Sequence, residues 1–571
     1  MRTRRLIAIS VSLLLVIVFF GAQNAMPTAQ AQGPSARGPF FRKAARAVAF
    51  NGDLRNLRNA QGLKSPHVLP LRGRILRAGS ISLPSNLDNL KLETQQTAPN
   101  MPSPIQNFDG VSWTGIGWPP DTNGDVGPND YVQAVNVSLA VYNKSGALLA
   151  GPTTFDALFA PLGTSTPCGN NNQGDPVVLY DQLADRWLVS DFAFAVDLLG
   201  NPQAPFYQCI AVSKTSDPVT GGWYLYSLLA DNTLLNDYPK FGLWPDAYYM
   251  TANMYDLSTN DVHVRVWALD RNAMLNGSLN SVYFDLPPCP ASASTCSVYS
   301  LLPSNLRGAL PPAGSPNYLA NIETANTTTA IPFVSNVIHF WKFALNGSWP
   351  APPATLTGPF NVSVAPFLEA LWKSGSNINM SLVPQKGTST RLDTLGDRLM
   401  MQLQYRNIGG AESLWASHTV IARTPAGLVT GIRWYQVRVA SGGFHLAQQG
   451  QYTPNDGILR WMPSLAVDQK GDMVVGFSAS NSNNYPSLRY AGRLATDPAG
   501  QLAQGESVLF SGSGSQTSYP LIGAITRWGD YSAMTIDPTD DCTFWYTNEY
   551  YASSGYKWRT RIGSTKFPGC P

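Results

Sequence analysis

The sequence is short of charge: Asp, Glu, Lys and Arg make up 13% of the 571 residues, and there are five histidines. It has no Gly-x-Ser-x-Gly elbow, so serine-hydrolase chemistry of that type lacks its nucleophile. His-Glu-x-x-His and the Gly-rich phosphate loop are also missing, which removes the zincin and P-loop nucleotide classes. No Cys-x-x-Cys occurs and no cysteine has histidines nearby, so a thiolate zinc site has no ligand set. Past the first two dozen residues no apolar run approaches a bilayer span, and helical apolar spacing is nearly absent. What is abundant is Gly (49), Pro (44) and aromatic residues (11%). Short Val, Tyr, Trp and Thr runs recur between turn-forming clusters, as in an all-β chain.

The chain opens with Met1, Arg2, Arg4 and Arg5, an apolar run from Leu6 to Ala22, and Ala29-Gln30-Ala31. That order predicts a secretory signal peptide over 1–31, cut after Ala31; an uncleaved membrane anchor is the alternative reading. No cysteine lies there to carry a lipid. All six cysteines follow it, and an even count in an exported chain predicts disulfides. Sequence proximity pairs Cys168 with Cys209, Cys289 with Cys296, and Cys542 with Cys570. The expected locale is secreted or cell-surface.

Charge is divided unevenly. Residues 1–105 hold 14 Lys and Arg against 3 Asp and Glu, whereas the remainder holds 25 against 33. The basic stretch 32–105 is expected to be a low-order leader or pro-segment, given its Pro, Gly, Asn and Gln content; contact with an anionic surface or nucleic acid is the other reading. The acidic remainder argues against nucleic acid as the main partner, since phosphate binding needs a continuous basic face.

The body, 106–571, repeats. Asp175 through Asp191 aligns with Asp237 through Asn253, each pair 16 apart, and Met462 through Ser478 keeps the offset. With weaker copies, seven units emerge, whose strand ends fall near Asn136, Asp191, Asn253, Glu323, Ser417, Ser478 and Asn548. Irregular spacing between four-stranded units predicts a β-propeller of about seven blades, with six or eight blades or two stacked sandwiches as alternatives. The last unit shows three strands, and one from near Phe108 to Trp113 would complete it and close the ring.

The stretch Pro119-Pro120-Asp121-Thr122-Asn123-Gly124-Asp125-Val126-Gly127-Pro128-Asn129-Asp130-Tyr131-Val132-Gln133, with Arg527-Trp528-Gly529-Asp530-Tyr531 and Asp175-Pro176-Val177, resembles a group of uncharacterised secreted bacterial β-propeller proteins. The resemblance covers about 108–570. It implies a propeller distantly similar in shape to the sialidase-like, BNR-repeat group, and it implies no activity.

Several constellations carry chemistry. Asp121, Asn123 and Asp125 place oxygen side chains at alternate positions, the pattern of a calcium loop or of an Asx-rich turn. Asp175, Asp237, Asp397 and Asp530 recur at unit starts; they converge on the channel as a cation or sugar site, or else bond the backbone and keep blades in register. A sialidase would draw on Arg433, Arg489 and Arg527 with Tyr546 and Glu549, but clean Ser-x-Asp-x-Gly-x-x-Trp boxes are missing. Trp113, Trp118, Trp223, Trp244, Trp372, Trp415, Trp434 and Trp461 exceed what a core usually demands; rings exposed at a channel mouth would stack on glycans or anchor a protein, and packing between blades is the other reading, expected for at least half of them. The sequence therefore predicts a monomeric extracellular module that binds a glycan or protein without catalysis, through Asp175, Asp237, Asp397, Asp530, Arg527, Trp118 and Trp244. Calcium is its one suggested cofactor. A glycan-active hydrolase or lyase using channel carboxylates and a structural surface protein are the alternatives.

Overall fold

The β-branched and aromatic runs form strands that bury both faces, as the continuous apolar stretch Val177-Val178-Leu179-Tyr180 requires. The computed structural model describes residues 36–60, 100–198, 200–259, 261–288, 295–325, 334–370, 372–374, 377–379, 381–425, 427–517 and 527–571. The expected signal peptide lies outside the described residues. Among those described, no helix is long and apolar enough to cross a membrane.

The chain is nearly all β and is built of consecutive antiparallel sheets. The first holds Asn123–Val126, Asp130–Val135, Ser138–Asn143 and Leu148–Thr154. The second opens with Asn172–Asp181 and continues through Arg186–Val196, Pro202–Ser213 and Trp223–Asp231. The third runs from Leu234–Leu243 to Ser278–Asp285. A fourth set, Leu302–Leu306 to Ala354–Glu369, and a fifth, Met400–Ile408 to Gly443–Tyr452, share one eight-stranded sheet. They join through a parallel pairing of Ser304, Asn305 and Leu306 with Leu403, Gln404 and Tyr405. The sixth spans Leu459–Val467 to Gly505–Ser511.

In the seventh, Ala533–Ile536, Phe544–Tyr550 and Arg559–Thr565 are completed by Gln106–Ser112 from the other end of the body, with Phe108 opposite Ile562. The expected closing strand is thus present. First strands of consecutive sheets touch in turn, and that of the seventh touches that of the first. Cys168–Cys209 and Cys542–Cys570 are bonded as the spacing suggests. Cys296 is also in a disulfide, and its expected partner Cys289 lies outside the described residues.

Two expectations need correction. Residues 36–60 are not a low-order leader: Arg37–Arg46 pairs with the last strand of the third sheet, and Val48–Phe50 with the last strand of the second. Asn59 then bridges Thr153 in the first. Edge pairing uses backbone groups, so a segment poor in apolar pattern can still be ordered. The repeat also slips by one residue in the third sheet. Tyr238, left-handed and followed by proline as Asp175 is, rather than Asp237, is the counterpart of Asp175, and both lie in the bulge that the two first strands share.

Candidate functional site

Six first strands have, within about five residues of their start, a non-glycine residue with left-handed backbone: Asp121 (φ 45°), Asp175 (53°), Tyr238 (57°), Ser300 (48°), Leu395 (46°) and Met462 (55°). Each such residue costs about 1–3 kcal/mol. At four of them the N–H, turned out of its own ladder, is accepted by a side chain of the neighbouring sheet. Asp175 donates to Asn136 Oδ1 (2.8 Å), Tyr238 to Asp175 Oδ2 (3.1 Å), Ser300 to Asn253 Oδ1 (2.9 Å) and Met462 to Thr419 Oγ1 (3.2 Å). Asp530, at the corresponding place in the seventh sheet, donates to Asp121 Oδ1 (2.6 Å). These latches tie sheet to sheet at one end of the ring.

They also gather charge there. Asp121 Oδ2 accepts from Asn136 Nδ2 (2.7 Å), and Asp175 Oδ2 accepts from the Tyr531 hydroxyl (2.9 Å). Arg527 Nη2 donates to Asp530 Oδ2 (2.9 Å). Arg398 forks onto Asp397 (2.7 and 3.0 Å) and reaches the Tyr299 hydroxyl. Lys240 places Nζ 3.2 Å from the Tyr238 ring centre and 3.5 Å from that of Tyr531, and it donates to the Pro239 carbonyl. Among the described residues, Arg527 Nε and Nη1, Asp530 Oδ1 and the Tyr238 hydroxyl are buried there without a hydrogen-bond partner.

Burial dominates the electrostatics. It drives the Asp121 carboxyl well above the usual carboxylate range, helped by the charges of Asp530 and Asp175. It pushes Asp175 up to about 7, reinforced by Asp237 and Asp530, and Asp393 up to about 6. The same burial pulls the Lys240 ammonium well below its ordinary value. An Asp held protonated to about pH 7 when folded and to about 3.9 when unfolded binds a proton that the unfolded chain releases. Stability is therefore lost as pH rises from about 4 to about 7. Asp175→Asn keeps an acceptor for Tyr238 and Tyr531 without titrating, and it is expected to flatten that loss by at least about 1 kcal/mol. Urea midpoints at about pH 5 and about pH 8 read this, and equal slopes in both proteins would refute it.

The structure thus brings Asp175, Asp237, Asp397, Asp530 and Arg527 to one end of the ring, where Asp237, half-buried, is felt at Asp175. It buries the aromatic residues expected to bind with them. Trp118 and Trp244 are fully buried, and Trp244 Nε1 donates to the Ser315 carbonyl, so neither offers a ring to a ligand. Gly and Pro beside Trp118 mark a loop, but the loop lies hard against a sheet. A Cβ at Gly117, whose φ is +73°, would stand 2.3 Å from the Asn136 carbonyl oxygen. Trp223, Trp415, Trp434 and Trp461 are buried too, and the side chain of Trp372 lies outside the described residues. Trp113 alone of the described members is half-buried, perpendicular to the half-buried Tyr556 with ring centres 6.0 Å apart.

Asn123 and Asp125 sit in a strand rather than a tight loop. Asn123 accepts from the Val178 N–H (3.0 Å), and Asp125 accepts from the Tyr180 N–H (2.8 Å) and pairs with Arg307. Of the arginines a sialidase would need, only Arg527 is at the ring end. Arg433 bonds Gln449, Gln451 and the Ala365 carbonyl, and Arg489 pairs with Glu506, both on third strands. Tyr546 bonds Asn548, and Glu549 accepts from the Gly529 N–H (2.6 Å). Sequence reasoning missed Tyr238, Lys240, Arg398 and Tyr531. Aligning Pro176, Pro239 and Pro463 would have found the first two, because proline directly follows the left-handed residue in all three sheets.

No protein-family model matches the chain, and no curated protein does. Among solved structures it is similar to Trypanosoma rangeli sialidase, 7% identical over 68% of this chain and 54% of that one, with a TM-score of 0.29. The GH43 endo-arabinanase from Bacillus licheniformis is 11% identical, with 58% of this chain and 98% of that one covered and a TM-score of 0.23. A polysaccharide lyase of family PL25, an ulvan lyase, is 11% identical over 80% of this chain and 81% of that one, with a TM-score of 0.25. The chain spans about half the length of the sialidase it matches. At these TM-scores the likenesses carry no argument about what it does.

Proposed function

We propose that the ring is a seven-bladed propeller, each four-stranded sheet a blade, and that it acts outside the cell as a glycan- or protein-binding module without catalysis. The carrying observation is the engagement of the carboxylates at the ring end. Asp121 and Asp175 accept backbone N–H groups across blade boundaries, while Asp397 and Asp530 are paired with arginines. A glycoside hydrolase needs two carboxyl groups roughly 5–10 Å apart with room for substrate between them. Here all four are less than a tenth exposed.

Binding then falls to the half-buried pair of Trp113 and Tyr556. Ser112 lies opposite Arg559, and Arg559 opposite Tyr550, so the pair shares the end of the seventh sheet that carries Asp530. Disulfides suit an oxidising compartment. A glycan array run with and without chelator tests both the ligand and calcium at Asp121, Asn123 and Asp125. Trp113→Ala is expected to weaken the best ligand at least about tenfold; unchanged binding would sink the proposal.

A hydrolase or lyase is the second reading. It is favoured by the Asp175 carboxyl at about 7 beside Tyr531 and by the buried donors of Arg527 that have no partner. Glycan cleavage that Asp175→Asn abolishes and Trp113→Ala leaves intact would establish it instead.

A further inference from the structure

We infer that residues 36–60 form a second binding surface, along the outer rim of the ring, for a linear acidic polysaccharide. This surface is independent of Trp113 and of the axial carboxylates. The segment carries five arginines and one lysine against a single aspartate. It runs along the outermost strands of the third, second and first sheets in succession. Arg37, Arg46, Arg55 and Arg58 are exposed, and among the described residues only Arg55 has a carboxylate partner, its neighbour Asp53. Phe40 and Phe41, 41% and 43% exposed, stand between Arg37 and Arg42. Phe40 lies 5.1 Å from the ring of Tyr283, and the Arg42 guanidinium lies 5.3 Å from the same ring.

The chemistry selects the partner. Arginine in preference to lysine supplies planar forks that match carboxylate or sulfate oxygens two at a time. Spread along an extended strand and its continuation, the guanidinium groups suit a repeating anion rather than one small anion, which would need them to converge. Exposed aromatic rings between the charges offer stacking faces to sugar rings. Elsewhere the chain is acidic, 33 carboxylates against 25 Lys and Arg from residue 106 on. A bilayer or duplex broad enough to meet that remainder is repelled, whereas a single glycan chain touches the rim alone.

The test uses the whole mature protein on immobilised heparin, which is sulfated, and on polygalacturonate, which is carboxylated; the column that retains it identifies the anion. Arg37→Gln, Arg46→Gln and Arg58→Gln are combined, all exposed, with thermal unfolding confirming the fold. The triple variant is expected to bind the retaining glycan about tenfold more weakly and to elute at lower salt. Arg438→Gln, exposed on a distant strand, should elute with the wild type. Retention on neither glycan, a triple variant that binds like the wild type, or duplex DNA or phosphatidylserine vesicles binding as tightly as the glycans would each overturn the proposal.

Discussion

Arg307→Met is expected to cost about 3–5 kcal/mol of folding stability, the range for removing one partner of a buried ion pair. Arg307 follows the first strand of the fourth sheet, yet its guanidinium reaches Asp125 in the first and the Tyr180 carbonyl (3.1 Å) in the second. Both charged side chains are almost wholly buried. Asp125 also accepts the N–H groups of Val126 and Tyr180, each at 2.8 Å, so it cannot swing to solvent when its counter-charge is lost. Methionine fills a similar volume, which leaves the uncompensated carboxylate as the main penalty. Burial already raises the Asp125 carboxyl above its ordinary value, and losing the guanidinium must raise it further. The penalty should therefore grow as pH rises from about 4. Adding Asp125→Asn is expected to restore at least half of the loss. Guanidinium chloride midpoints measure all three proteins; a loss below about 1 kcal/mol, or no recovery in the double variant, would show that Arg307 does not hold the sheets together.

Replacing Cys168 and Cys209 together by alanine is expected to remove about 4 kcal/mol, the chain-entropy value for a bridge spanning 41 residues. Cys168 lies in the short turn Pro167–Gly169, between the first and second sheets, and Cys209 on the third strand of the second. Both are fully buried, so the bond fastens the inter-sheet connection to a sheet interior. Asn172 caps the same turn by donating to the Cys168 carbonyl (2.8 Å). That contact survives the substitution and should keep the turn's shape. Thermal unfolding of the oxidised wild type and the double variant gives the difference, and equal stability would mean that the unfolded chain is already constrained there.

The repeat was legible because first and second strands keep a fixed offset: Asp175 to Asp191 and Met462 to Ser478 mark real strand pairs. The slip at Asp237 arose because Asp is a stronger turn signal than Tyr, whereas the latch depends on backbone conformation and takes Asp, Tyr, Ser or Met alike. Four carboxylate positions at the ring end, Asp175, Asp237, Asp397 and Asp530, were within reach of the spacing argument. Lys240 was not, since nothing in a single strand shows that Tyr531, nearly 300 residues on, supplies the second face of its aromatic cage. The rim segment was misread for a related reason: its strands are ordered by partners more than 170 residues away, not by any apolar period of their own.

Gln106–Ser112 completes the sheet whose other strands are the last of the chain. The earliest body segment must wait, unpaired, until Arg559–Thr565 has emerged from the ribosome. A nascent or truncated chain therefore never holds a finished circle. Synthesis and final annealing are forced into that order, and a chain stopped before Arg559 should yield a protease-sensitive product rather than a slightly shorter ring.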